Sequence, residues 1–397
     1  MAKKAISLFS GAGGDTLGLE GAGFKVVAFN EFNKAAIETH LQNFPNSTLL
    51  QDKSPDITKV PDEKFTPYKG QIDIVFAGFP CQGFSSAGKR KAADPRNQMY
   101  LQFVRVVKNT QPKFFIGENV TGLTTMKSGP KETDPSMLAL IQKAFAEIGY
   151  DLTYQVLEAT DFGVPQKRKR ILLVGWNKSQ FPQFDTASFW AQVAANGAAK
   201  IAKAIKPRTF VTTSMNGAFE IPRAQVPHDF ATYALSIPQT AMPEGTPHPY
   251  VVLKASTKSE EYDGKTHTSL LSCAKRDSPI HSEIVDLDAP SKTIICTYDH
   301  QPRLLVGLRK PDGTAYARTL LPDELKQIQG FPADYTFVGN KKEQVVQIGN
   351  AVPPPMIEAV ASALAELTAQ PQGQGQQQPT QSKQTIKIRR KKAQQPT

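Results

Sequence analysis

"AISLFSGAGGDTLGLEGAGFKVVAFNE", residues 5–31, joins two uninterrupted apolar runs through a glycine-rich turn. The runs "AISLFS" and "KVVAFN" read as strands, and "DTLGLEGAG" between them as a short helix. A strand that is apolar on both sides belongs inside a sheet covered on both faces. Strand, turn, helix and strand in this order is the unit of a parallel sheet.

The alternation continues outward from this stretch. "NKAAIETHLQNF" reads as a helix, "IDIVFAGFP" as a strand and "MYLQFVRVVKNT" as a helix. "KFFIGENV" is a strand, "SMLALIQKAFAEIGY" a helix, and "YQVLEAT" and "RKRILLVGW" are further strands. The expected architecture is an α/β fold with a doubly wound, mostly parallel sheet, running to about residue 177.

From about 178 to 317 the texture changes. Pro, Thr and Ser are frequent, and short β-like runs such as "YVVLKAST" and "SKTIICTY" replace long helical patterns. A second, smaller, loop- and β-rich domain is expected over about 178–344. Helical patterns return with "PDELKQIQ" and "PPMIEAVASALAEL". The last of these has a small and aliphatic face that needs a sheet to cover, so about 345–368 is assigned to the first domain with 1–177. From 369 onward "AQPQGQGQQQPTQSKQ" is low in complexity, and 369–397 is expected to be a disordered basic tail.

The 397 residues carry a formal net charge of +11 and are 40% hydrophobic, enough for a sizeable core. Six of the eleven charges belong to Lys383, Lys387, Arg389, Arg390, Lys391 and Lys392, since no acid follows Glu366. The tail reads equally as a nucleic-acid tether, a nuclear signal or a solvated end. The rest of the excess favours a polyanionic partner. The cysteines are Cys81, Cys273 and Cys296, too few and too scattered for a disulfide framework or structural zinc, so no metal is expected. A reduced intracellular protein without a signal peptide or membrane span is expected.

In an open parallel sheet, ligands bind beyond the carboxyl ends of the strands. Gly11 to Gly14 follow the first strand, Glu31 the second, Cys81 the third, and Glu118 and Asn119 the fourth. The glycines permit a tight turn at a helix N-terminus, and Glu31 stands twenty residues after Gly11, the distance of an acid that binds ribose hydroxyls. The spacing lacks the third glycine of a dinucleotide site, which suggests a nucleoside cofactor without a pyrophosphate. Cys81 reads either as apolar filler or as a nucleophile activated by neighbouring cations. Glu118 reads as a turn cap or as an acid near substrate. In "QKRKR", residues 166–170, strand alternation aims Gln166, Arg168 and Arg170 in one direction.

In this order the motifs resemble those of the S-adenosylmethionine-dependent DNA (cytosine-5) methyltransferases. "SLFSGAGG" is similar to the family's cofactor motif, "GFPCQGFSSAG" to its nucleophile loop, "ENV" to its acid motif and "QKRKR" to its Gln-x-Arg-x-Arg motif. "RTLLPDELKQIQGFP" and "QIGNAVPPPM" resemble its two closing motifs. The resemblance implies a Rossmann-like methyltransferase core with a target-recognition domain at about 178–344. It implies catalytic roles for Cys81, Glu118, Arg168, Arg170 and Gln166, with Cys81 adding to carbon 6 of a flipped cytosine, Glu118 at ring nitrogen 3 and Arg168 on the base's carbonyl.

For S-adenosyl-L-methionine it implies contacts from Phe9, Gly11, Gly13, Glu31, Phe32, Asp56, Ile57, Pro80 and Asn350. Phe32 stands where relatives often carry tryptophan. The implied partner is double-stranded DNA, met by a monomer, with a restriction endonuclease acting separately. The implied location is cytoplasmic and nucleoid-associated in a bacterium, or nuclear in a eukaryote or its virus. An RNA methyltransferase on the same scaffold and a non-catalytic DNA-binding relative remain open. Arg208, Arg223, Lys254, Lys258 and Arg276 are unsorted candidates for base or phosphate contact.

Overall fold

The computed structural model describes residues 2–80, 99–128, 133–211, 219–220, 234–236, 250–253, 261–262, 265–266, 283–296, 298, 304–309 and 315–369. Cys81 with the loop after it, and the tail from 370, lie outside the described residues. So do Arg223, Lys254, Lys258 and Arg276.

The strands of the main sheet are β1 (Lys3–Leu8), β2 (Phe24–Asn30), β3 (Thr48–Leu49), β4 (Ile74–Ala77), β5 (Phe114–Asn119) and β6 (Tyr150–Glu158). A two-residue β7 (Gln166–Lys167) precedes β8 (Lys169–Asn177). The spatial order is β3-β2-β1-β4-β5-β8-β6. The pairs β3–β2, β2–β1, β1–β4 and β4–β5 are parallel. Strand β8 runs antiparallel to both β5 and β6. The chain moves from β1 outward to β2 and then returns to β4 on the other side, so the strand order reverses at β1. That reversal opens a crevice between the loops that leave β1 and β4.

Register brings the strand ends level. Leu8 is the partner of both Asn30 and Ala77, and Ala77 of Gly117. The next residues, Phe9, Glu31, Gly78 and Glu118, therefore share one rim. Because β8 is reversed, its beginning reaches that rim instead of its end, and Asn119 pairs with Ile171.

Helices cover both faces of the sheet, as its apolar strands require. On one face Phe24, Val26, Ile74, Phe76, Phe114 and Val174 pack with Leu19 of α1 (Gly14–Gly21). On the other, Ile6, Val75, Phe115 and Leu173 pack with Phe103 of α3 (Met99–Thr110) and Ile141 and Phe145 of α4 (Met137–Glu147). Helix α2 (Lys34–Asn43) is started by Asn33, whose side chain accepts from Ala36 N. Ser136 caps α4 in the same way.

Helix α5 (Thr186–Ile201) buries Phe189 and Val193 in the first face's core, against α9 (Pro354–Ala369). Residues 186–201 thus pack with the main sheet, beyond the boundary expected at 177. Helices α6 (Pro207–Val211), α7 (Pro322–Ile328) and α8 (Lys341–Asn350) share a third core that also holds Ala12, Phe44, Val285, Ile294, Leu304 and Tyr335. That core packs the later part of the chain beneath the glycine turn. A second sheet has the order Ala234–Ser236, Tyr250–Leu253, Ala315–Thr319, Leu304–Arg309 and Glu283–Ile284, with Phe219–Glu220 also paired to Leu304–Arg309. A separate short parallel pair joins Ser291–Lys292 to β7.

Candidate active site

The glycine turn is held from behind. Gly11 and Gly13 both have positive φ, 51° and 86°, and so does Phe9, at 54°. A Cβ on Gly11 would meet no heavy atom within 4 Å, so this side of the turn faces open space. A Cβ on Gly13 would lie 2.8 Å from the Phe44 ring and 3.0 Å from the Tyr335 hydroxyl. The side of Gly13 that a Cβ would occupy is therefore turned to an aromatic wall. Tyr335 donates its hydroxyl to Ala12 O. Behind it, His40 stacks on Phe29 with ring centroids 3.7 Å apart and meets the Thr16 hydroxyl at 3.0 Å. Burial pushes His40 down to about 3, so it is neutral at neutral pH.

Asp15, in the first turn of α1, is also buried, and Ser7 donates its hydroxyl to it. Burial pushes its carboxyl up to about 7, Ser7 and the adjoining backbone N–H groups oppose this, and Glu31 adds to it. Asp15, His40 and Tyr335 were not picked out from sequence. A first-turn acid, a last-turn histidine and a late tyrosine carry no local mark of meeting behind one loop.

Glu31 takes three backbone donors. Its Oε2 accepts from Gly11 N at 2.8 Å, and its Oε1 accepts from Phe32 N at 2.9 Å and Asn33 N at 2.8 Å. A carboxylate offers about four lone-pair sites, so Oε2 retains one for a ligand hydroxyl. The Phe32 ring stands 76% exposed beside it. Asn30, buried at the end of β2, donates to Leu50 O and Pro55 O, both at 2.9 Å, which fixes the loop before Asp56 and Ile57. Asp56 accepts from the Thr58 hydroxyl and backbone N–H, which lower its pKa. Ile57 is buried, and its carbonyl accepts from Arg105 Nη2 at 2.7 Å. Pro80 is half-buried, and Asn350 is exposed at the end of α8.

On the acid side of the rim, Arg170 Nε lies 2.8 Å from Glu118 Oε1. Glu118 Oε2 faces Gly78, where a Cβ would lie 3.7 Å away. Asn119 donates to Phe79 O at 3.1 Å, which ties the turn leading to Pro80 and Cys81 to β5. The "QKRKR" alternation is present: Gln166 and Arg168 are buried, Lys167 and Lys169 exposed, and Arg170 half-buried.

Arg168 does not reach the rim. It is 1% exposed, and its Nη1 and Nη2 donate to Ile294 O and Gly349 O, each at 3.0 Å. The expectation that Arg168 holds the base's carbonyl is therefore corrected: two main-chain carbonyls occupy its guanidinium, and Arg170 is the cation beside Glu118. Gln166 also turns inward. Its Nε2 donates to Gln329 Oε1 at 2.5 Å, and its Oε1 accepts from Ile294 N at 2.9 Å. Arg208 Nη2 meets Asp288 Oδ2 at 2.6 Å, so an acid of this same chain faces that base-reading candidate.

The family model for C-5 cytosine-specific DNA methylase matches residues 3–366. The chain belongs to this family. As a member it is a DNA (cytosine-5-)-methyltransferase. It is 32% identical over 372 residues to the type II methyltransferase M1.HphI of Haemophilus parahaemolyticus, covering 91% of this chain and 86% of the relative. It is 31% identical over 369 residues to the type II methyltransferase M.PspPI of Psychrobacter sp. (strain TA137), covering 91% and 79%.

Among solved structures, the methylase is similar to the Entamoeba histolytica methyltransferase EhMeth, with a TM-score of 0.58, 16% identity and coverage of 93% and 99%. It is also similar to the S. pombe Dnmt2 methyltransferase, with a TM-score of 0.57, 16% identity and coverage of 92% and 99%. These two support the fold of the methylase core. The residues on the cofactor side fit a nucleoside: open space over Gly11, a spare acceptor on Glu31 and an exposed ring at Phe32.

Proposed function

We propose that this methylase transfers the methyl group of S-adenosyl-L-methionine to carbon 5 of a cytosine flipped out of duplex DNA, as the modification half of a restriction-modification system. The observation that carries the reading is the Glu118–Arg170 pair on the rim that also holds the glycine turn and the turn into Cys81. The type II relatives support the modification role.

The cofactor, when bound, supplies a methyl group on an electrophilic sulfonium. Glu31 takes a ribose hydroxyl on Oε2, Phe32 stacks on the adenine, and Asp56 and Ile57 border its edge. Cys81, as thiolate, forms a bond to carbon 6 of the base, which makes carbon 5 nucleophilic. Glu118 holds a proton at ring nitrogen 3, and Arg170 fixes the Glu118 carboxyl and faces the base's carbonyl oxygen. After methylation a base takes the proton from carbon 5, the C–H electrons reform the double bond to carbon 6, the bond from sulfur to carbon 6 breaks, and the Cys81 thiolate is restored. A base inside a duplex is out of reach, so it is flipped into the crevice first. The region of the second sheet reads the DNA sequence, and the basic tail adds phosphate contacts. The protein acts as a monomer wherever its DNA resides. Among the described residues, no helix is long and apolar enough to cross a membrane.

The test is radiolabelled methyl transfer to unmethylated duplex DNA and, in parallel, to transfer RNA, with the product read by bisulfite sequencing. Label at one cytosine of a short DNA motif, abolished in Cys81→Ser while DNA is still bound, is expected. Label in RNA alone, or full activity in Cys81→Ser, overturns the reading.

A further inference from the structure

The buried Arg168 links three parts of the chain. Its carbonyl partners, Ile294 and Gly349, lie 126 and 181 residues away in sequence. The segment that carries Ile294 is fastened along its length to the "QKRKR" stretch. Ser291 N donates to Pro165 O at 3.0 Å, the Thr293 hydroxyl to Lys167 O at 2.7 Å, and Ile294 N to Gln166 Oε1 at 2.9 Å. Gly349 lets the same segment lie directly on α8, since a Cβ there would sit 2.6 Å from Cys296 N. At its far end the segment joins the second sheet. Tyr298 donates its hydroxyl to Leu304 O and accepts from Leu320 N at 3.0 Å.

Arg168 is costly to bury. A guanidinium removed from water must have its donors met, and its Nε has no partner among the described residues. Burial disfavours its charge most, and among its neighbours Arg170 opposes it while Glu118 and Cys296 favour it. Two residues further along the same face, Arg170 holds Glu118. Residues 291–294 are thus bonded to residues 165–168, which lead directly into β8 and Arg170.

We propose that Arg168 is a positioning residue that couples the seating of residues 291–298, and through Tyr298 the second sheet, to the alignment of Arg170 with Glu118. Methyl transfer is then fast only when the second sheet is seated on DNA. This rests on the reading of the rim as the methyl-transfer site.

Two variants test it, with S-adenosylmethionine affinity and duplex binding measured beside single-turnover transfer. Arg168→Met is expected to lower the transfer rate roughly tenfold to a hundredfold, the scale of a lost buried charged hydrogen bond, with cofactor affinity unchanged. Where that variant does not fold, Tyr298→Phe removes only the hydroxyl link. It is expected to lower the transfer rate and to combine less than multiplicatively with Arg170→Lys. Multiplicative losses, or a change confined to DNA affinity, overturn the coupling.

If the wild-type protein methylates no DNA, the reading of the rim fails instead. Amide hydrogen exchange of β5 then decides the coupling alone. Faster exchange around Glu118 in Tyr298→Phe supports it, and unchanged exchange overturns it.

Discussion

Arg170 and Glu118 form an ion pair at 2.8 Å in which each side chain is only 15% exposed. The pair joins strands β8 and β5, and it exists because β8 runs backward and delivers its first residues to the rim. Little water reaches the pair to screen it, so it holds the Glu118 carboxyl in one orientation. Arg170→Ala should lower the maximal rate of methyl transfer roughly a hundredfold, comparable to the loss of one preorganised donor in an active site. Cofactor affinity, measured by titration calorimetry, should stay the same. A matching loss of cofactor affinity would move Arg170 to the other half of the site.

The Asp15 carboxyl makes stability depend on pH. Its value is about 7 in the folded protein against an ordinary value of 3.8. A carboxyl raised in this way favours the folded state while protonated. Its contribution is complete below about 3.8 and is lost as pH rises through about 7. At about 1.4 kcal/mol per unit, the swing approaches roughly 4 kcal/mol. Asp15→Asn stays neutral, so its stability should rise relative to wild type between about pH 4 and pH 7. Urea midpoints across that range measure it. His40 acts oppositely, costing stability as pH falls below 6.5, but it is common to both proteins and cancels. Parallel curves would show that Asp15 does not titrate there.

Phe32 separates binding from folding. Its ring is 76% exposed, so Phe32→Ala should leave the melting temperature within about a degree, as surface changes do. Loss of stacking should weaken S-adenosylmethionine binding several-fold, since a stacked aromatic pair is worth about 0.5–1.5 kcal/mol. A fall in melting temperature without a fall in affinity would assign the ring to packing.

The two turn glycines should differ in kind. Gly13→Ala forces a Cβ into the Phe44 ring at positive φ, and thermal unfolding should show a loss of about 1–3 kcal/mol or more. Gly11→Ala meets open space, so its cost should be limited to about 1 kcal/mol of left-handed strain. Its larger effect should be on cofactor affinity. Equal destabilisation of the two variants would contradict the aromatic wall behind Gly13.

Much of this was legible in the chain itself. Apolar runs separated by helical patterns match six of the seven strands of the main sheet, missing the two-residue β3, and "MYLQFVRVVKNT" ends where α3 does. The strand alternation of "QKRKR" is present in the burial of its five residues. Which arginine meets Glu118 was not legible. It depends on the antiparallel entry of β8 beside β5 and on carbonyls at Ile294 and Gly349, more than a hundred residues away. Asp15 was missed for a similar reason: in sequence it is an ordinary first-turn acid, and its burial comes from the packing around it.

Helix α9 has a consequence for synthesis. Met356, Ile357 and Val360 complete the core over Phe24 and Ile74, yet they are made more than 280 residues later. At about 5–20 residues per second, the part of this face that α9 covers stays open for on the order of half a minute. During that interval the nascent chain presents an apolar surface to its surroundings. Newly made molecules should therefore lean on holding chaperones until α9 emerges, and the emergence of α9, not formation of β1, should mark the onset of methylation.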